Sequence, residues 1–149
     1  AKGTGGYLNS ILAKQEAVKN NYDEAILLNN EGFVSEGSGE NIFVVNRGMV
    51  TTPPVTAGIL EGLTRDSVMT LLRDAGHEVR EANVTRTDLY YADEIFFTGT
   101  AAEVTPVREV DDRPVGSGRP GPVTRQAQDL FQKTVTGRLE AYRHWLDYV

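Results

Sequence analysis

The chain has 149 residues, 40% of them apolar and 24% charged, with a formal net charge of −6 and no cysteine. That length fits one domain with a sizeable core, and the composition argues against disorder. The acidic balance disfavours nucleic acid and anionic membranes as partners, and the missing thiols exclude disulfides, cysteine nucleophiles and Cys-ligated zinc.

Gly3, Gly5 and Gly6 lead into a helical pattern in which Leu8, Ile11, Leu12 and Ala17 recur at helix spacing to about Asn20. Strand-like stretches are predicted over 24–29, 33–36, 40–46 and 49–52. Turn chemistry at Asn29-Asn30-Glu31-Gly32, Gly37-Ser38-Gly39 and Asn46-Arg47-Gly48 separates them. Pro53-Pro54 closes this meander. The spacing of Val68, Leu71, Leu72 and Ala75 predicts a second helix over 63–75 with Gly76 as its stop. Strands follow over 77–84, 93–98 and 103–109, with a short helix over 87–91 between the first two. Asp111-Asp112 turns into 113–115, residues 116–122 form a loop, and a final helix runs from 123 to about 139. The sum is one α+β domain, residues 1–149, with a mixed, curved sheet.

The longest apolar run, 42–45, is far too short to span a membrane, and no basic-then-apolar leader is visible. With the absent cysteines this gives an expectation of cytoplasmic localisation. The chain opens Ala1-Lys2-Gly3 rather than with Met, which reads as a processed or partial chain. His77 and His144 read as structural or solvated, because neither has carboxylates at ligand spacing, so no metal is expected.

Four segments carry candidate chemistry: Lys2 beside Gly3, Gly5 and Gly6; Ser35-Glu36-Gly37-Ser38-Gly39-Glu40-Asn41; Glu61-Gly62-Leu63-Thr64-Arg65-Asp66; and Gly99-Thr100-Ala101-Ala102-Glu103. Taken singly, each reads as a surface lysine, a turn, a helix cap and a tight strand connection. Taken together and in this order, they resemble the fold-type IV pyridoxal-phosphate enzymes, above all the branched-chain amino acid aminotransferases. The resemblance runs from Lys2 to Trp145-Leu146-Asp147, and its most specific parts are 35–41 and 99–107.

The resemblance implies the large domain of that fold, a sheet curved towards a pseudo-barrel with flanking helices, with pyridoxal 5'-phosphate as cofactor. It makes Lys2 the Schiff-base lysine, whose amine must be neutral to react and to shuttle a proton. Glu36 faces the pyridine nitrogen and keeps it protonated. Gly62, Leu63, Thr64 and Thr100 surround the phosphate, with the second helix offering free N–H groups and a favourable dipole. Thr100, Ala101 and Ala102 meet the substrate α-carboxylate. Tyr7 matches the tyrosine that contacts the phenolic oxygen, although its place in a helical apolar stripe fits a core role almost equally. Glu40 and Asn41 stand behind these groups; Glu40 either orients the lysine or tyrosine or pairs with a nearby Arg.

The implied reaction moves the amino group of Leu, Ile or Val to 2-oxoglutarate. Gly39 and Glu40 stand where the D-amino-acid aminotransferases carry serines, which favours the branched-chain type over those enzymes and over aminodeoxychorismate lyase. The resemblance further implies an amino-terminal domain before the lysine, supplying an arginine to the phosphate and an apolar substrate wall, and a homo-oligomeric enzyme. A stable, inactive fragment of such an enzyme is the competing expectation.

Overall fold

The computed structural model describes the backbone of residues 4–146 and the side chains of residues 8–146. Helix α1 (Thr4–Lys19) precedes a short antiparallel pair, β1 (Ile26–Leu28) and β2 (Val34–Gly37). A hairpin follows, β3 (Asn41–Asn46) and β4 (Met49–Thr52), then a single 3-10 turn and helix α2 (Leu63–Asp74). Strand β5 (Val79–Glu81), helix α3 (Arg86–Tyr91) and the hairpin β6 (Glu94–Gly99) to β7 (Glu103–Pro106) come next. A small hairpin, β8 (Glu109–Val110) and β9 (Arg113–Pro114), leads to helix α4 (Pro122–Val135) and a closing 3-10 helix.

The main sheet has five strands in the order β5-β4-β3-β6-β7, antiparallel except for the β4–β5 pair. It is the mixed sheet expected, and in the described residues it is open rather than closed into a barrel. Its central strands are buried on both faces, which explains their continuous apolar runs. Phe43, Val45 and Phe96 point into a core built with Val68, Met69 and Leu72 of α2 and Val123 and Ala127 of α4. Ile42, Val44, Ile95 and Phe97 point the other way, onto Val34, Leu89 and Val115. Phe43 and Phe96 are register partners, and their rings stack at 5.0 Å with 6° between planes.

Most predicted elements form within a residue or two. The exceptions have local causes. The stretch over 77–84 narrows to three strand residues, Val79–Glu81. The stretch over 103–109 is two strands: the chain leaves β6 after Val107 N bonds Ile95 O, and β8 pairs with β9 through a turn in which Asp111 and Asp112 both have positive φ. The last helix stops at Val135 rather than near 139, because Gly137 at φ 72° reverses the chain. In α1 the apolar stripe is not packed as the spacing implied: Leu8 and Leu12 are more than half exposed.

Two buried charges fasten helices to the sheet. Arg65 on α2 reaches Glu81 at 2.5 Å, the Pro53 carbonyl at 3.2 Å and Asp66 at 3.2 Å. Glu94, at the start of β6, serves α4, whose residue before the first turn is Gly121 and supplies no side-chain cap. The Glu94 carboxylate accepts hydrogen bonds from Val123 N at 3.2 Å, Thr124 N at 2.8 Å and Thr124 Oγ1 at 2.7 Å. It thus satisfies the orphan amides of a helix N-terminus and meets the positive end of the dipole. Any Cβ at residue 121 would collide with this carboxylate, so Gly121 is required by close approach. Glu94→Ala is expected to destabilise the fold by about 2–3 kcal/mol, the worth of charged hydrogen bonds to buried donors. Glu94→Gln, which still accepts, should cost less; denaturant titrations with an unchanged slope would check both.

Candidate active site

At one end of the central strand pair, where β3 begins and β6 ends, a cavity of about 130 Å³ opens between β2, β3, α2 and the β6–β7 turn. Glu36, Glu40, Asn41, Gly62, Thr64 and Thr100 are among its lining residues. Glu36, 4% exposed, lies on β2 and accepts the Leu60 amide at 2.8 Å. Asn41, the first residue of β3, donates from Nδ2 to the Leu60 carbonyl at 2.8 Å. Leu60 therefore ties both side chains to the loop before α2 through backbone groups alone.

Helix α2 starts at this cavity. Gly62 precedes its first turn in an extended conformation without a side-chain cap. A Cβ there would come within 2.5 Å of Asn41 Oδ1, so only glycine lets the backbone approach so closely. Leu63 stands 86% exposed at the mouth while Thr64 is buried. Thr98, fully buried below the rim, has an Oγ1 with no hydrogen-bond partner among the described residues, although the Thr52, Thr124 and Thr134 hydroxyls are all paired. A buried carboxylate, an uncapped helix N-terminus, two threonines and an orphaned hydroxyl gather at one cavity: this donor set fits a ligand that carries both a cationic ring nitrogen and a phosphate.

The β6–β7 turn, residues 100–102, is followed by Glu103 at φ 53°, the three-residue connection with a left-handed residue that suits an antiparallel pair. Thr105 Oγ1 donates to the Ala102 carbonyl at 2.7 Å. Thr100 lines the cavity, but Ala102 lines a larger neighbouring cleft of about 510 Å³. Glu40 lines both and forms part of the wall between them.

The structure thus brings together Glu36, Glu40, Asn41, Gly62, Leu63, Thr64 and Thr100, and sets Ala102 on the far side of Glu40. Ala101 lies in the turn, exposed. Lys2 lies outside the described residues; Tyr7 lies within α1, with its side chain outside them. The lysine and tyrosine expected beside Glu40, Lys2 and Tyr7, have side chains outside the described residues, and among the described residues no arginine bonds Glu40. Its partner is Glu24. Burial first, and then that carboxylate, push Glu40 up to about 7. Burial also opposes the ionisation of Glu24, but hydrogen bonds from Ser38 and the Ala25 amide outweigh it and hold that carboxyl below its ordinary value. Lys14 Nζ completes the cluster, 3.2 Å from Glu24 Oε2. Glu24, Lys14 and Leu60 carried no warning in the sequence: the first sat in an expected strand, the second in a helix, and Leu60 acts through its backbone; Ser38 stood in the 35–41 segment, but without this role. His77 bonds Gln126 at 2.6 Å and His144 stands edge-on to Trp145, and no metal-binding cluster occurs among the described residues.

The model of the amino-transferase class IV family matches residues 1–110. The chain belongs to that family. It is 52% identical over 146 residues to a probable branched-chain-amino-acid aminotransferase of Aquifex aeolicus, covering 97% of this chain and 47% of that protein. It is also 52% identical over 145 residues to the branched-chain-amino-acid aminotransferase of Pseudomonas aeruginosa, again 97% of this chain and 47% of the relative. The crystal structure of the Thermobaculum terrenum branched-chain amino acid aminotransferase in its PLP-form superposes with a TM-score of 0.94 at 48% identity, covering 98% of this chain and 48% of the other. A further branched-chain amino acid aminotransferase, crystallised with N-(5'-phosphopyridoxyl)-L-glutamate, superposes with a TM-score of 0.95 at 51% identity. That match covers 99% of this chain and 50% of the other. The chain spans about half the length of the curated relatives it matches. The fold is that of the branched-chain members of class IV.

Gly62→Ala tests whether the start of α2 receives an anion. The new methyl meets Asn41 Oδ1 and would back the α2 N-terminus away from any anion seated there. Affinity for a phosphate monoester, read by calorimetry, is expected to fall about tenfold, the worth of one charge-assisted hydrogen bond. An unchanged affinity places the anion elsewhere.

Proposed function

We propose that this chain is the cofactor-binding half of a pyridoxal-phosphate aminotransferase that transfers the amino group of Leu, Ile or Val to 2-oxoglutarate. The observation that carries the reading is the convergence of buried Glu36, the uncapped start of α2 and Thr100 on one cavity. The relative crystallised with a phosphopyridoxyl glutamate supports both the cofactor and the glutamate half of the exchange. We further propose that a second, amino-terminal domain completes the site with a cationic phosphate contact and an apolar wall, and that the intact enzyme is a homo-oligomer in the cytoplasm. No helix of the described residues is long and apolar enough to cross a membrane.

When bound, pyridoxal phosphate supplies an electron-withdrawing ring that stabilises negative charge at the substrate α-carbon. The chain's residues do the rest. Lys2 would hold the cofactor covalently and, as a free neutral amine, would take the substrate α-proton and deliver it to the carbon on the other side of the substrate nitrogen. Glu36, fixed by the Leu60 amide, holds a proton on the ring nitrogen by charge, which a neutral side chain cannot do. Gly62, Leu63, Thr64 and Thr100 grip the phosphate through amides and hydroxyls, so that the α-proton lies over a fixed base. The backbone of Thr100, Ala101 and Ala102 receives the substrate carboxylate, and small side chains leave its amides reachable. Tyr7 contacts the phenolic oxygen.

Incubating the intact enzyme with L-leucine, 2-oxoglutarate and pyridoxal phosphate should yield glutamate. Turnover of D-leucine instead would favour the D-amino-acid branch. Lys2→Ala should abolish turnover without loss of folding stability, and near-normal rates would remove the lysine from its role. Glu36→Gln should lower kcat by orders of magnitude while cofactor Kd changes little, since the phosphate contacts hold the cofactor; the reverse pattern would overturn the ring-nitrogen assignment. The 149-residue chain alone should bind cofactor weakly and turn over far more slowly, because a missing charged phosphate contact is worth roughly 1.5–3 kcal/mol and an open wall admits water.

A further inference from the structure

The pairing of Glu24 with Glu40 has no role in the reaction outlined above, yet it is held by several groups. Glu24, just before β1, has every feature of a fixed carboxylate. Ser38 donates a short hydrogen bond to Oε1, the Ala25 amide donates to the same atom at 2.8 Å, and Lys14 Nζ lies 3.2 Å from Oε2. Lys14 is itself held by the Asp23 carbonyl at 2.5 Å. Ser38 belongs to the tight turn between β2 and β3, closed by Gly37 N bonding Glu40 O at 2.8 Å. Glu40 stands in the same turn, and Gly39 N reaches its Oε2 at 3.4 Å. Two carboxyl groups in hydrogen-bond contact cannot both ionise cheaply, and the one with more donors keeps the charge. Glu24 has the donors, so the shared proton sits on Glu40.

We propose that Glu24 is a positioning residue for the proposed cofactor site: it holds Glu40 as a neutral hydrogen-bond donor in the wall of the cavity, so that no second negative charge stands in the cavity proposed to receive the cofactor's anionic phosphate. This rests on the pyridoxal-phosphate reading only for its consequence; the proton's location is a property of the protein alone. The charged groups that line the two cavities Glu40 separates are Lys14 of α1, Asp23 and Glu24 before β1, Glu36 of β2, and Arg108, Glu109 and Arg119 across the larger cleft. Of these, Glu24 raises Glu40 and Lys14 lowers it. The raised value of about 7 means that Glu40 is protonated below neutrality and ionised above it.

The test is a carboxyl carbon NMR titration of the intact enzyme labelled at glutamate, without cofactor. In the wild type, the Glu24–Glu40 pair should show an upper step near 7. Glu24→Gln should move that step downwards, because burial still raises Glu40 but the carboxylate beside it is replaced by an amide that can donate to an ionised Glu40. Lys14→Gln should move the step in the opposite direction, upwards, since the cation that lowers it is lost. A purely structural role would not give opposite shifts from two neighbours. Lys14→Gln also serves alone should Glu24→Gln fold poorly. A Glu40 that titrates unchanged in both variants overturns the proposal.

A second arm reads the consequence by calorimetric titration of pyridoxal phosphate. Between pH 6 and 8 wild-type affinity should fall about threefold beyond the change seen in Glu24→Gln, the effect of one added charge near a partly solvated anion. The phosphate's own ionisation is common to both proteins and cancels. Opposite NMR shifts with no cofactor binding at any pH would leave the carboxyl pair standing and sink the reading of the site instead. Equal pH dependence in the two proteins would show that the pair does not govern the site, and would overturn the positioning role.

Discussion

The antiparallel pairing of β3 with β6 is the constraint on which the rest of this molecule depends. Both strands are buried on both faces, so a slip of one residue in their register would exchange the two cores, and the stacked Phe43–Phe96 pair fixes that register. The same register sets Asn41 beside Thr98. Several of the residues proposed as functional then lie within a few residues of that point. Backwards from Asn41 the chain reaches Glu40 and Glu36, and forwards from Thr98 it reaches Thr100. A packing requirement at the sheet's centre thereby becomes fixed placement at its end, which is the placement a bound reactant needs.

Helices are brought to this frame by groups that also control what may stand near them. Glu94 draws α4 onto β6 and forbids a side chain at residue 121. Asn41 bonds the Leu60 carbonyl and forbids one at residue 62, which leaves the start of α2 open towards the cavity. The two helix N-termini thus have opposite fates. The first is filled from within by a buried carboxylate, and the second has no such cap among the described side chains. An N-terminus left unfilled where a carboxylate could have been supplied is available to a ligand.

The sequence showed the sheet and its helices well, because runs such as Ile42-Phe43-Val44-Val45 suit strands covered on both sides. It showed the ends of elements less well. The break between β7 and β8 depends on where the chain leaves its partner strand, and the early stop of α4 depends on Gly137, which in sequence looks like any other glycine. At the site, Glu36, Gly62, Thr64 and Thr100 were legible because their motifs have distinctive residue types. Leu60 was not, since its amide and carbonyl are indifferent to its side chain. Nor was Glu24, which meets Glu40 only because β1 pairs with β2 and brings Leu27 opposite Glu36. The exposed stripe of α1 was misread for a related reason: spacing tells which residues share a face, and not what covers it.

The overall charge sharpens the meaning of these local arrangements. A chain of net charge −6 is a poor partner for an anion at long range, but solvent and salt damp that repulsion beyond roughly 8–10 Å. What decides binding is the field inside the cavity, and there the attractive side is made of backbone amides and hydroxyls, partial charges that fall off quickly. Such a site tolerates one carboxylate if it stands at the end of the ligand that carries a proton, as Glu36 is proposed to do. A second carboxylate at the wall would compete directly with the helix N-terminus. With Glu40 in that wall, the field stays positive only while Glu40 is uncharged. Burial, and then a neighbouring carboxylate with three donors of its own, accomplish this.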